Sequence, residues 1–173
     1  MNLDWKSLKG KGELGEWRGT LLCREKGKHL WEVRQDWVDP RRLHVPKLGA
    51  EFAFDSGWES DGPSIPTLVC LVFGKPREAY LCSGFLHDDG YRRAGLWMRK
   101  DGETDWEFEP FDKKSLDVLL RIGVRSEGAE KWQEDLIYWG VGTEFGRLAW
   151  KKCRRADGKR LPKAARSGRI GPA

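Results

Sequence analysis

Between residues 20 and 56 apolar and polar positions alternate with a period of two in four short runs: TLLCRE (20–25), HLWEVRQDWV (29–38), RRLHVP (41–46) and EFAFDS (51–56). Alternation of that kind puts successive side chains on opposite faces of a strand, and the turn residues between the runs predict an antiparallel meander. In the second run Trp31, Val33 and Gln35 share the packed face, while Leu30, Glu32, Arg34 and Asp36 share the wet one. GWESDGPSIP (57–66) is dense in turn residues and reads as a loop. Beyond Pro66 the period becomes helical. TLVCLVFG (67–74) predicts a short buried helix capped by Ser64, and PREAYLCSGFLHDDGYRR (76–93) a longer one with Pro76 in its first turn. KDGETDWEFEPF (100–111) reads as a loop or hairpin, and DKKSLDVLLRIGV (112–124) as a helix capped by Asp112 and ending near Gly123. In the last helical stretch, 126–150, Trp132, Leu136, Trp139 and Gly140 line one side, and Gly140, Gly142 and Gly146 permit close approach of another element or a break. Strands followed by helices predict one α+β domain.

Composition sharpens this reading at the ends of the chain. With 173 residues, 39% of them hydrophobic and ten tryptophans, there is enough material for one sizeable core. The domain is expected over 20–150, after a Gly/Lys-rich extension (1–19) and before a tail (151–173). That tail holds nine of the 32 basic residues and one acid, leaving 23 basic against 26 acidic groups elsewhere, a net of −3. The chain's +5 therefore belongs to the tail, whose Gly, Pro, Ala and Arg content predicts a solvated coil. Lys151, Lys152, Arg154, Arg155, Lys159 and Arg160 are its candidate partner-binding residues, and nucleic acid is expected as a partner only through them. No apolar run is long enough to span a membrane, and the N-terminus lacks the apolar stretch of a secretory signal, so synthesis in a cytoplasm is expected. The four cysteines show no C-x-x-C pair, and neither a zinc ribbon nor a disulfide framework is expected.

Four blocks, VPKLGAEFAFDSGWESDGPSIP (45–66), FLHDDGYR (85–92), SLDVLLRIGV (115–124) and YWGVGTEFGRLAW (138–150), occur in one order. Together they resemble the short phage and prophage proteins catalogued as domain of unknown function 1353. The resemblance covers roughly residues 43–150 and leaves out the glycine-rich start and the basic tail; FDSGWES lengthens the approach to the aspartate turn relative to the family. It implies a phage origin. The role expected in that context is a virion-associated protein, in the tail or the tail-and-lysis module, made in the host cytoplasm and acting through contacts with other virion proteins. The resemblance implies no reaction. Position by position it picks out Asp61, Ser64, His87, Asp88, Tyr91 and Asp117.

Carboxylates and an imidazole gathered from separate elements are what a metal or acid/base site requires, since together they hold a divalent ion and lower the pKa of its water. Asp61, His87, Asp88 and Asp117 are the candidate catalytic and metal-ligating residues, with Ser64 and Tyr91 in support; Zn²⁺, Mn²⁺ or Mg²⁺ is the cofactor such a site would take. The corresponding activity is a small metal-assisted hydrolase acting on peptidoglycan or a phosphoester. His44, His87-Asp88 and Asp117 also follow the H…HD…D order of metal-dependent phosphohydrolases, but those enzymes are all-helical and His44 lies in an expected strand. Ser64 as a nucleophile with His87 as base lacks the G-x-S-x-G elbow. Against these stands an architectural reading, in which His87 pairs with Asp61 to fix a loop to a helix and Asp88 is exposed or caps. Asp117 has its own bland reading as an exposed helix residue. Trp31, Trp37, Trp132, Trp139 and Trp150 are expected in the core, and Trp97 and Trp106, in or beside the charged excursion, at a binding surface.

Overall fold

A computed structural model describes residues 8, 14–27, 30–34, 38–55, 57–60 and 80–157. They form one α+β domain in the order β1 (Glu16–Arg18), β2 (Leu22–Gly27), β3 (Leu30–Arg34), β4 (Arg42–Val45), β5 (Ala50–Ala53), β6 (Trp58–Ser60), α1 (Leu81–Arg93), β7 (Gly95–Lys100), β8 (Glu107–Pro110), α2 (Lys113–Ser126), α3 (Lys131–Gly142) and α4 (Glu144–Asp157). The expected strands are present, but not as a single meander. β1, β4, β5, β7 and β8 form a five-stranded antiparallel sheet in the order β1-β4-β5-β7-β8, and β2, β3 and β6 form a separate three-stranded sheet. Trp58–Ser60, within the expected loop, is the edge strand pairing with β3. β7, which the sequence left unassigned, sits between β5 and β8 and is reached only through α1.

Register fixes which residues face the helices. Leu43 pairs with Phe52 and Phe52 with Met98, so these three share a face of the large sheet with Val45, Ala50 and Leu96. The helices lay Phe85, Leu86, Leu116 and Leu119 on that face, and nearly all of these side chains are fully buried. Phe54 meets Phe85 edge-on, with ring centroids 6.0 Å apart. Arg42, His44, Glu51 and Arg99 lie on the opposite face.

The helix ends follow their sequence signals unevenly. Asp112 caps α2, its Oδ1 accepting from the backbone N–H of Ser115 at 2.8 Å, but the helix passes Gly123 and ends at Ser126. Asp112→Ala is expected to cost about 1 kcal/mol in urea unfolding, and an unchanged midpoint would refute the cap. α1 begins at Leu81, after the N-cap Tyr80, and Pro76, expected in its first turn, lies outside the described residues. Its first N–H groups are capped from another element: the Glu127 carboxylate accepts from the N–H groups of Cys82 and Ser83, both at 3.1 Å, and from the Ser83 hydroxyl. The long C-terminal helix expected over 126–150 breaks at Thr143, whose hydroxyl donates to the Gly140 carbonyl at 2.7 Å. α4 then starts in contact with α3, since a Cβ on Gly146 would lie 1.8 Å from the Val141 carbonyl oxygen.

α4 continues to Asp157, through the expected domain boundary at residue 150, so Lys151, Lys152, Arg154 and Arg155 belong to a helix and not to a coil. At the other end, β1 makes Glu16–Arg18 part of the large sheet and not of an extension. The capping assigned to Ser64, the helix expected over 67–74, Trp37, Lys159 and Arg160 lie outside the described residues. Among the described residues no helix is long and apolar enough to cross a membrane.

Candidate functional site

GFLHDDGYRR forms most of α1, and His87 and Tyr91, four residues apart, stand one turn above each other with ring centroids 3.9 Å apart. Gly90, between them in sequence, allows α2 to close on this turn: a Cβ there would meet Leu116 Cδ2 at 2.5 Å. That approach brings Asp117 of α2 against both rings. Asp117 Oδ1 lies 3.2 Å from His87 Nε2 and accepts from the Tyr91 hydroxyl at 2.6 Å. Its Oδ2 accepts from Lys113 Nζ, one helical turn back, at 2.6 Å. The same ammonium donates to the Val141 carbonyl at the end of α3, at 2.7 Å. Trp150 of α4 meets the Tyr91 ring edge-on at 5.1 Å. α1 and α2 thus supply the contacts to this buried carboxylate, and α3 and α4 are tied to it through Lys113 and the Tyr91 ring.

The electrostatics agree with an ionised Asp117. Burial opposes its charge, but hydrogen bonds from His87, Lys113 and Tyr91 outweigh that and hold the carboxyl below its ordinary value of 3.8. An ionised carboxylate only accepts, so His87 Nε2 carries a proton. Burial and the neighbouring Asp117 push the Tyr91 hydroxyl well above its ordinary range, which keeps it a donor.

The acid that α1 buries most deeply is Asp89, not Asp88. Asp89 Oδ2 accepts from the backbone N–H of Asp55 at 2.9 Å, and Oδ1 lies 3.5 Å from Arg93 Nε, while the Arg93 guanidinium also donates to the Asp55 carboxylate. The Arg93 guanidinium lies 4.7 Å above the Phe108 ring, tying α1 to β8. Burial pushes the Asp89 carboxyl up to about 6 against the pull of Arg93. Asp88, half-buried on the same helix, acts on the Tyr91 hydroxyl through its charge.

Of the sequence candidates, the fold brings His87, Tyr91 and Asp117 together. Asp61 and Ser64 lie outside the described residues, and so does the expected His87–Asp61 pairing. Asp117 is not an exposed helix residue, at 6% exposure. His44 stands in β4, as expected, on the opposite face of the sheet, and its Nε2 is 3.0 Å from Asp101 Oδ1. Trp97 and Trp106 are not at a surface: they are buried with Ala53 against Phe108, and Arg99 stacks 4.7 Å over Trp106. β7 and β8 fold the charged excursion back onto the sheet and turn its aromatic side chains inward. Trp132 and Trp139, expected in the core, are 50% and 65% exposed, because α3 buries Ile137 and Gly140 instead. Trp31 and Trp150 pack against the core as expected.

Lys113 was missed in the sequence, although its spacing of four from Asp117 is a legible signal for a helical ion pair. Among the described residues no group of three or more His, Cys, Asp or Glu side chains is arranged to hold a metal ion. Comparison with protein-family models, with curated proteins and with solved structures finds no match to this chain.

Proposed function

We propose that this is a phage-encoded, virion-associated protein of the tail or the tail-and-lysis module that works through protein contacts, with the His87 cluster as a rivet between helices. The phage setting rests on the four ordered blocks described above. The observation that carries the architectural role is that both oxygens of Asp117 are held by the protein's own side chains: His87 and Tyr91 engage one and Lys113 the other. An ammonium 2.6 Å from the carboxylate occupies the position a dication would need and repels it. A metal-assisted hydrolase is the second reading, favoured by the contact of His87 with Asp117, which such a site would also need.

Thermal unfolding with chelator and with added Zn²⁺, Mn²⁺ or Mg²⁺ separates the two. A ligand at 100 times its Kd stabilises by about 2.7 kcal/mol, a shift of several degrees for a domain of this size. The rivet predicts no shift with any ion. A shift that disappears in His87→Ala would establish a metal site there, overturning the rivet in favour of the metal-assisted reading. Mass spectrometry of purified particles tests the location, and a chain missing from them refutes virion association.

A further inference from the structure

Three of the largest exposed apolar side chains among the described residues lie on the last two helices: Trp132, Trp139 and, at 60% exposure, Leu148. The seven-residue spacing of Trp132 and Trp139 puts both on one face of α3, away from the face that packs Ile137 against Leu120 and Val124 of α2. On α4, Leu148 is exposed among Arg147, Lys151 and Lys152, which lie within one turn of it and are exposed too. The opposite side of α4 turns Gly146, Trp150 and Cys153 inward. α4 is thus amphipathic: its outward face carries Leu148 with Lys151, Lys152 and Arg147, the last paired with Glu144 at 2.7 Å, and it follows a helix whose two outward tryptophans each lie one turn from the exposed Asp135.

We infer that α3 and α4 dock peripherally on an anionic lipid surface. The charge distribution supplies the orientation: the 150 residues before the tail carry a net of −3, whereas the basic surplus begins at the exposed Lys151 and Lys152 in the second half of α4, so a negatively charged surface attracts this end of α4 and repels the rest. The apolar groups select the kind of anion. The headgroup region of a bilayer takes tryptophan and leucine side chains together with lysine and arginine. A duplex would neutralise the cations through its phosphates and leave Trp139 and Leu148 in water. An acidic protein would need its own apolar pockets at matching positions. Such docking needs no membrane-crossing helix and is independent of the role given to His87.

The test uses the full chain with sedimented vesicles of phosphatidylcholine alone and of phosphatidylcholine with one-third phosphatidylglycerol. The chain is expected to partition onto the anionic vesicles only, and less so as salt is raised. Each basic residue near an anionic surface strengthens binding about fivefold, so Lys151→Glu with Lys152→Glu should weaken partition by at least about tenfold. Trp139→Ser, at an exposed position, should weaken it about fivefold or more without moving the unfolding midpoint. Failure to bind anionic vesicles, or binding that neither variant alters, overturns the proposal. So does a tighter complex with single-stranded or duplex oligonucleotide that survives Trp139→Ser, which would assign the face to nucleic acid.

Discussion

Asp117→Ala is expected to destabilise the domain by about 3–5 kcal/mol, the cost of leaving buried charged partners uncompensated. The substitution strips the acceptor from His87, Tyr91 and Lys113 at once, and the Lys113 ammonium, whose side chain is only 18% exposed, keeps the Val141 carbonyl alone. Asp117→Asn should lose less, about 1.5–3 kcal/mol, because its amide oxygen can still serve His87 and Tyr91 while its NH₂ faces Lys113. Adding Lys113→Met to Asp117→Asn removes the stranded cation, so the two losses should be non-additive by about 1 kcal/mol or more. Urea unfolding of wild type, Asp117→Ala, Asp117→Asn, Lys113→Met and the double variant measures this, and a loss below about 1 kcal/mol for the alanine variant would mean that Asp117 is not the keystone of the helices. The pH dependence has a definite sign. The folded carboxyl titrates below its ordinary 3.8, so its contribution is present above that value and is lost as the pH falls through the lower, folded one.

Asp89→Asn is expected to act in the opposite direction. Burial raises the Asp89 carboxyl from 3.8 to about 6, so the folded state holds a proton that the unfolded state releases. Stability from this group is complete below about pH 4 and is lost as the pH rises through about 6. The two-unit difference corresponds to on the order of 2–3 kcal/mol at neutral pH. Asparagine keeps an oxygen for the Asp55 N–H, and Arg93 keeps the Asp55 carboxylate, so the variant should equal wild type near pH 4 and exceed it above pH 6. Unfolding midpoints measured across that interval decide it. A variant that is less stable than wild type at neutral pH would show that the Asp89–Arg93 attraction outweighs the cost of burying the charge.

These two residues also mark how far the candidate site could be read before the fold was known. The association of His87, Tyr91 and Asp117 was legible, since two lie one turn apart on a helix and the third matched a separate block. The lysine that completes the cluster was available from its four-residue spacing and was passed over. The partner expected for His87, Asp61, lies outside the described residues; among those described, Asp117 pairs with His87. Asp88 and Asp89 could not be distinguished locally. Adjacent helical residues point about 100° apart, and only the packing of α1 against β7, α2 and the Phe54–Asp55 segment decides which of them leaves water.

The tryptophans follow the same logic. Trp97 and Trp106 looked exposed because charges surround them in sequence, but the β7–β8 hairpin folds them against Ala53. Trp132 and Trp139 looked buried because they share an apolar stripe, but α3 turns its Ile137 side to the core.

By itself the sequence determined the α+β class, the strand periods of β2 to β5, the Asp112 cap and the glycine-rich weakness that becomes the break at Thr143. All of these rest on groups a few residues apart, where backbone sterics, side-chain alternation and capping hydrogen bonds act. Only the tertiary structure decided the division into two sheets, the placement of β7 between β5 and β8, the capping of α1 by Glu127 and the inward face of each helix. Those depend on contacts between residues distant along the chain, where a period shows that a face exists but not what covers it.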